Sequence, residues 1–373
     1  MTDFQYYLIT FEDFFEILKA LIREKMADKV ISGETKRNRF QVSPILESDP
    51  QKLENFPLSS LFIYNFDRIN SASKFLHKKA GGALNEKIAM IGHPADARAL
   101  VELAKRLQVN LDNIFTIVFE NIGTIQGGDM VKLLKDEGIE PENVVDDFLT
   151  ETEYLLKLKD GSIKKYPLGK KIDITPNDKR ADVKKLDDNF DLAVTWITLE
   201  PFSHQLAVRT GSEKGRDLFS KLNIKKVELD TTKLDALLKK QAEIMKKARE
   251  QKEKDVKEYL IRPDRIKELA KCTMCGVCIN ACPVCFCTDC VLQKQRKEKD
   301  IDMLSYQMTR VAHVGDSCVN CGKCDQNCPT NLPLSLYFYS VTEKVKKQFK
   351  YETGMNKKEP IPRSWTAIER GST

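Results

Sequence analysis

Apolar positions along the first two thirds of the chain switch between helical and strand periods. Phe11, Phe14, Phe15, Leu18 and Leu21 recur at helical spacing within a mixed stretch that runs to about residue 80, and they predict an amphipathic helix. The run KIAMI, residues 87–91, reads as a buried strand that turns at Gly92-His93-Pro94 into the helical stretch ADARALVELAKRL. A second apolar strand, IFTIVF at residues 114–119, is followed by the loop ENIGTIQGGD and the helical stretch MVKLLKDEG. Strand, short loop, helix, strand is the rhythm of an α/β domain with a mixed, mainly parallel sheet. LLKLKDGSIKKYPL predicts a β-hairpin at Asp160-Gly161. Residues 191–199 and 206–209 predict two more strands, after which Thr210 and Glu213 have the spacing of a capping box opening the helix GRDLFSKL.

From Asp235 to Leu260 the chain is rich in Ala, Glu and Lys, with Leu237, Leu238, Ile244, Met245 and Ala248 near helical spacing. This predicts one long, half-exposed helix whose lysines form a solvated face. Residues 291–313 predict a helical insertion, and LSLYFYSVTEKVKKQF a further helix. The tail MNKKEPIPRSW carries an aromatic anchor, Trp365, and reads either as a partner-docking strap or as a frayed end. The expected organisation is an α/β domain over 1–232, a helical linker over 233–263, a compact unit over 264–340 and a tail over 341–373.

Composition narrows the function classes. The 373 residues carry 61 Lys and Arg against 55 Asp and Glu, a net charge of +6 that is not gathered into runs. This excludes a nucleic-acid arm or a polybasic membrane binder. No run approaches the roughly 18–20 apolar residues that span a bilayer. The start, MTDFQYYLITFEDFFEIL, lacks the features of a secretory signal, so a cytoplasmic protein is expected.

The cysteines change the picture most. All 11 lie between Cys272 and Cys328. An odd number in one window, without an export signal, argues against disulfides and for thiolate ligands to a soft metal centre. Cys272, Cys275, Cys278 and Cys282 form C-x2-C-x2-C-x3-C followed by Pro283, and Cys318, Cys321, Cys324 and Cys328 repeat it before Pro329. This is the two-cluster motif of bacterial ferredoxins, in which the fourth cysteine of each run ligates the other cluster. One [4Fe–4S] cluster is therefore expected on Cys272, Cys275, Cys278 and Cys328, and a second on Cys318, Cys321, Cys324 and Cys282. Gly276 and Gly322 would let the backbone pass close to the sulfides and donate N–H groups to them. A pair of zinc sites, the alternative for C-x2-C, uses two cysteine pairs and not runs of three closed by C-P.

Cys285, Cys287 and Cys290 remain, in CPVCFCTDC. They could hold a third centre with a fourth ligand from His313 or Asp289, or be thiols lining the cluster pocket, or a redox-active pair. The α/β part has neither G-x-G-x-x-G nor a P-loop. Its default ligand site is the loops at strand C-terminal ends, here Gly92-His93-Pro94 and residues 120–124. His77, His93, His204 and His313 are too scattered for a metal site or an acid–base pair and read as structural.

With these motifs in hand, the chain resembles the beta subunits of coenzyme F420-dependent formate dehydrogenase and F420-reducing hydrogenase. The resemblance rests on CTMCGVCINACPVCFCTDC, MTRVAHVGDSCVNCGKCDQNCPTNLPLSL and FKYETG, and more weakly on KIAMIGHPADARAL and HQLAVRTGSEKGRDLF. It implies an α/β domain with FAD that exchanges a hydride with F420, and clusters that relay single electrons to a catalytic partner subunit. That partner would be a formate dehydrogenase, a hydrogenase or a heterodisulfide-reductase-like subunit. A flavin belongs between them because deazaflavin moves electrons in pairs and each cubane moves one. By the same resemblance Gly92 and Pro94 lie in the flavin-side turn, and Asn121, Gly123 and Thr124 in the next. Where the family usually has a cysteine after the Gly-x-Pro turn, this chain has Ala95. The expected function is thus an iron–sulfur flavoprotein subunit of an oxidoreductase. The alternative is a non-enzymatic ferredoxin-like adaptor with a degenerate flavin and F420 site.

Overall fold

The computed structural model describes residues 5–67, 69–181 and 189–362. Its strands are β1 (Tyr6–Thr10), β2 (Lys29–Thr35), β3 (Val42–Glu47), β4 (Ile88–Gly92), β5 (Ile114–Phe119), β6 (Val144–Leu149), β7 (Glu153–Leu158), β8 (Ile163–Pro167), β9 (Leu192–Thr195), β10 (Gln205–Thr210) and β11 (Val227–Glu228). Eight form one mixed sheet in the order β11-β1-β10-β9-β5-β4-β2-β3. The central strands β2, β4, β5 and β9 run parallel, and the flanking pairs are antiparallel. β4 and β5 are buried along their whole length, which explains their unbroken apolar runs.

The predicted helix Phe11–Arg23 forms, opened by a capping box between Thr10 and Asp13, and packs Phe14, Ile17, Leu18 and Leu21 on the sheet. The Asp160-Gly161 hairpin also forms, with Gly161 at φ 84°. It belongs, however, to a separate three-stranded sheet, β6-β7-β8. That sheet is fastened to the main body by buried Asp147, which takes hydrogen bonds from Arg39 (2.5 Å), Tyr154 (3.1 Å) and Tyr64.

Two local expectations are corrected. The strand expected over 191–199 stops at Thr195 and turns, with Leu199 N–H donating to Trp196 O at 3.0 Å. The helix after β10 is capped by Ser212 and not Thr210. Ser212 Oγ accepts from Gly215 N at 3.0 Å and donates to Asp191 at 2.5 Å. Asp191 also accepts Thr116 N–H at 2.7 Å, so a single carboxylate makes Ser212 the better cap.

The long helix runs from Thr231 to Ile261. Most of its lysines face solvent, but Lys252 is 4% exposed and pairs with Glu343 (2.8 Å) on the helix Leu334–Phe349. That last helix crosses residue 340 unbroken. The helical insertion consists of two helices, Val291–Glu298 and Met303–Val314. Beyond Phe349 the chain folds back onto the helix Pro94–Ala104. Glu102, fully buried, accepts from Tyr351 Oη (2.5 Å), Gly354 N (2.8 Å) and Arg106 (2.7 Å), and Arg98 donates to Thr353 O (2.6 and 2.8 Å). The start of the tail is therefore a strap on the chain's own α/β part. Trp365 lies outside the described residues.

Candidate iron–sulfur centres and the adjoining cleft

Each cysteine run winds through a glycine in the left-handed region. Gly276 (φ 77°) opens the short helix Val277–Ala281 and Gly322 (φ 70°) opens Lys323–Gln326. A Cβ at Gly322 would overlap the side chain of Asn177, so any other residue would push the two halves of the molecule apart.

The helices turn the cysteines inward into one apolar cluster. Cys278, Cys282 and Cys324 are buried and Cys275 is exposed. Burial pushes the Cys278 thiol up, and neighbouring Cys272 and Cys275 add to the effect. Burial also pushes Cys321 up to about 12, with the charge of Cys282 next in importance. Cys318 is raised by burial, then by Cys321 and Cys282. The charge of Cys282 is thus felt by two thiols of the other run. Its own thiol is lowered to about 6, first by a hydrogen bond from Cys285.

Backbone and side-chain N–H groups already point at sulfur. Cys272 Sγ accepts from Met274 N (3.3 Å) and Gln307 Nε2 (3.1 Å), Cys318 Sγ from Asn320 N (3.4 Å) and Cys328 Sγ from Leu332 N (3.4 Å). Such donors stabilise thiolate and cluster charge. The thiols, the left-handed glycines and these donors fit iron–sulfur clusters. Among the described residues no three His, Cys, Asp or Glu side chains are close enough to hold a single ion.

Cys285, Cys287 and Cys290 line one cavity of about 850 Å³, with Lys74, Arg296 and Arg310 among its walls. His313 is on that wall, whereas Asp289 is exposed and off it. Lys74 also ties the two halves together, donating to Ile279 O (3.4 Å) and Cys282 O (3.3 Å).

The two loops singled out at strand ends lie side by side, because Gly92 pairs with Val118 across β4 and β5. Pro94, Asn121, Gly123 and Thr124 line a cavity of about 70 Å³ together with Cys321 and Lys323. Gly92 does not reach its wall; a side chain there would press on Asp96 and Ala72. The loop groups are occupied locally. Thr124 N and Oγ1 donate to Asp178 (2.8 and 2.6 Å), and Asn121 Nδ2 donates to Phe62 O (2.8 Å). His93, buried, bonds Leu61 O at 3.3 Å, and desolvation lowers its pKa.

A neighbouring cavity of about 350 Å³ shares Asn65, Thr124, Asp178, Cys321 and Lys323 with the small one, and extends to Gly127 and Gly128. These glycines open the helix Gly127–Glu137, whose N-cap Gln126 makes no side-chain cap bond. Lys323, buried, donates to Phe66 O at 2.5 Å. Sequence reasoning missed Lys323, whose only signal was its place within the second cysteine run.

At the end of β5, Glu120 (1% exposed) pairs with fully buried Arg209 at 2.5 Å, and Tyr6 Oη (3.3 Å) and Gln241 Nε2 (3.4 Å) donate to it. This network joins β5, β10, β1 and the long helix beside the cleft.

The fold and the paired cysteine runs define a class: an α/β protein carrying a 4Fe–4S dicluster domain, whose family model matches residues 268–332. The chain is 28% identical over 291 residues to the F420-dependent formate dehydrogenase subunit beta of Methanocaldococcus jannaschii, covering 74% of this chain and 76% of the relative. It is 29% identical over 304 residues to the F420-dependent formate dehydrogenase 1 subunit beta of Methanococcus maripaludis, covering 75% and 77%. In architecture it is similar to a chain of the F420-reducing [NiFe] hydrogenase complex of Methanosarcina barkeri, with a TM-score of 0.56 at 12% identity, over 68% of this chain and 91% of that one. The resemblance to the F420 hydrogenase and formate dehydrogenase beta subunits read from the sequence is borne out by these relatives. Among the described residues no helix is long and apolar enough to cross a membrane.

Proposed function

We propose that the chain is the iron–sulfur flavoprotein subunit of a cytoplasmic oxidoreductase complex, passing electrons between a hydride donor or acceptor of the F420 type and a catalytic partner subunit. The observation that carries this reading is the position of Cys321. It belongs to the second cysteine run and also lines the cleft at the C-terminal ends of the parallel strands. A ligand in that cleft would stand against a cluster ligand.

The residues fit a flavin there in kind. The cavity of about 350 Å³ lies at the lower end of the range for small-molecule pockets. The uncapped helix start at Gly127 and Gly128 and the Lys323 ammonium suit a phosphate group. A flavin, when bound, supplies the exchange between paired and single electrons. His93, Pro94, Asn121, Gly123 and Thr124 line the smaller adjoining cavity, their loops fixed by Asp96 and Asp178. In this reading the eight paired cysteines hold two [4Fe–4S] clusters, and exposed Cys275 marks the side from which electrons leave. The same half bears exposed Ile266, Val291, Met303 and Met308, apolar surface suited to a partner. Eleven cysteines without a disulfide among them suit a reducing cytoplasm.

Anaerobic purification followed by addition of reduced F420 tests this reading. A flavin band in the visible spectrum, bleached by reduced F420 together with the iron–sulfur band, is expected. The broad iron–sulfur band alone, unmoved by reduced F420, would instead support the adaptor reading.

A further inference from the structure

Arg310 is 1% exposed, yet among the described residues no carboxylate hydrogen-bonds its guanidinium. Its Nη2 donates to Cys278 O at 3.0 Å and its guanidinium lies over the Phe338 ring, 4.9 Å from the centroid. Nε and Nη1 have no hydrogen-bond partner. A buried cation without an anion is strongly unfavourable, so the fold must supply negative charge nearby. The charges that act on it are those of Cys278, Cys324 and Cys282, from the two cysteine runs, and of Cys285, which follows the first. Three residues earlier on the same helix, Gln307 Nε2 donates to Cys272 Sγ at 3.1 Å. Residues three apart share a helix face, so the helix Met303–Val314, inserted between the two motifs, turns a cation and an amide donor toward the clusters together.

We propose that Arg310 is a shared internal countercharge for the two clusters, raising both reduction potentials, and that Gln307 raises the potential of the cluster on Cys272. Reduction adds one electron to a centre that is already anionic. A fixed positive charge, or an N–H aimed at sulfur, stabilises the reduced form more than the oxidised one, and the effect is strong away from water. The inference rests on the reading of the eight cysteines as cluster ligands. Arg310 and Gln307 touch no reacting atom and are tuning residues.

The test is a redox titration of the full chain, purified anaerobically and followed by electron paramagnetic resonance, with iron measured in every sample. In Arg310→Gln, the reduced-to-oxidised ratio of both clusters at the wild-type midpoint should fall about tenfold, which for one electron corresponds to about 59 mV. Arg310→Lys, which keeps the charge, should recover most of that loss. Gln307→Met should lower one potential and leave the other in place. Wild-type potentials in iron-replete Arg310→Gln would overturn the proposal. So would Arg310→Lys shifted as far as Arg310→Gln. If Arg310→Gln fails to hold iron, Arg310→Lys must retain both iron and the wild-type potentials; its failure would assign Arg310 a packing role only. Absence of iron from the wild-type chain would instead remove the underlying reading.

Discussion

Cys282→Ala should empty the cluster of the other motif. Cys282 lies within the first run, but its charge is felt by Cys318 and Cys321, which belong to the second. Its loss should therefore leave three thiolates where Cys318, Cys321 and Cys324 converge, while the centre on Cys272, Cys275 and Cys278 keeps its ligands. Iron and acid-labile sulfide per chain should fall by about half, from roughly eight to roughly four of each. One of the two paramagnetic signals of the reduced protein should vanish. The complementary change, Cys328→Ala, should remove the other signal. Loss of the same signal in Cys282→Ala and in Cys275→Ala would show that each run holds its own cluster without exchange.

Glu120→Ala should destabilise the α/β part by about 3–5 kcal/mol, because it removes the buried carboxylate that pairs with fully buried Arg209. Total stability of a domain is on the order of 5–15 kcal/mol, so a large share of it would go. Urea denaturation followed by the signal of Trp196, which packs at the end of β9 against Phe62 and Phe148, would measure it. Arg209→Met in the same chain should restore part of the loss, since the cation that Glu120 balanced is then gone as well. A loss below about 1 kcal/mol would mean that Arg209 finds another anion or water. The same carboxylate explains why the loop after β5 keeps its place beside the cleft.

The elements legible in the sequence are those with local causes. The apolar runs of β4 and β5 are continuous because both faces are covered, the hairpin at Asp160-Gly161 follows from its turn residues, and the cysteine spacing carries its own geometry. What was hidden depends on partners far along the chain. β1 pairs with β10 some 200 residues later, so nothing near Tyr6 announces its place in the sheet. The cap at Ser212 is chosen by Asp191, a residue on another element. Glu102, Glu120, Lys323 and Arg310 look in the sequence like any surface charge, and only the fold shows them buried and shared.

The candidate site shows the same division. The eight cysteines were legible as two fourfold sets, and the charge of Cys282 in the first acts on Cys318 and Cys321 in the second. The two strand-end loops were legible as candidate ligand loops, but their glycines serve packing. Gly92 makes room for Asp96 and Ala72, and Gly123, at φ 141°, for Asp178 and Ile174. The wider cavity beside them is built by Thr124 and the second cysteine run together with residues 40–41, 64–67 and 126–128, which carry no motif. Cys285, Cys287 and Cys290 were legible as a group, and the fold does bring all three to one cavity wall.

The central claim is that two iron–sulfur cubanes sit on the paired cysteine runs. Iron and acid-labile sulfide analysis of the anaerobically purified full chain, with electron paramagnetic resonance after reduction, tests it most directly. The account predicts about eight iron and eight sulfide per chain and two interacting signals. A colourless chain containing zinc and no sulfide would contradict it.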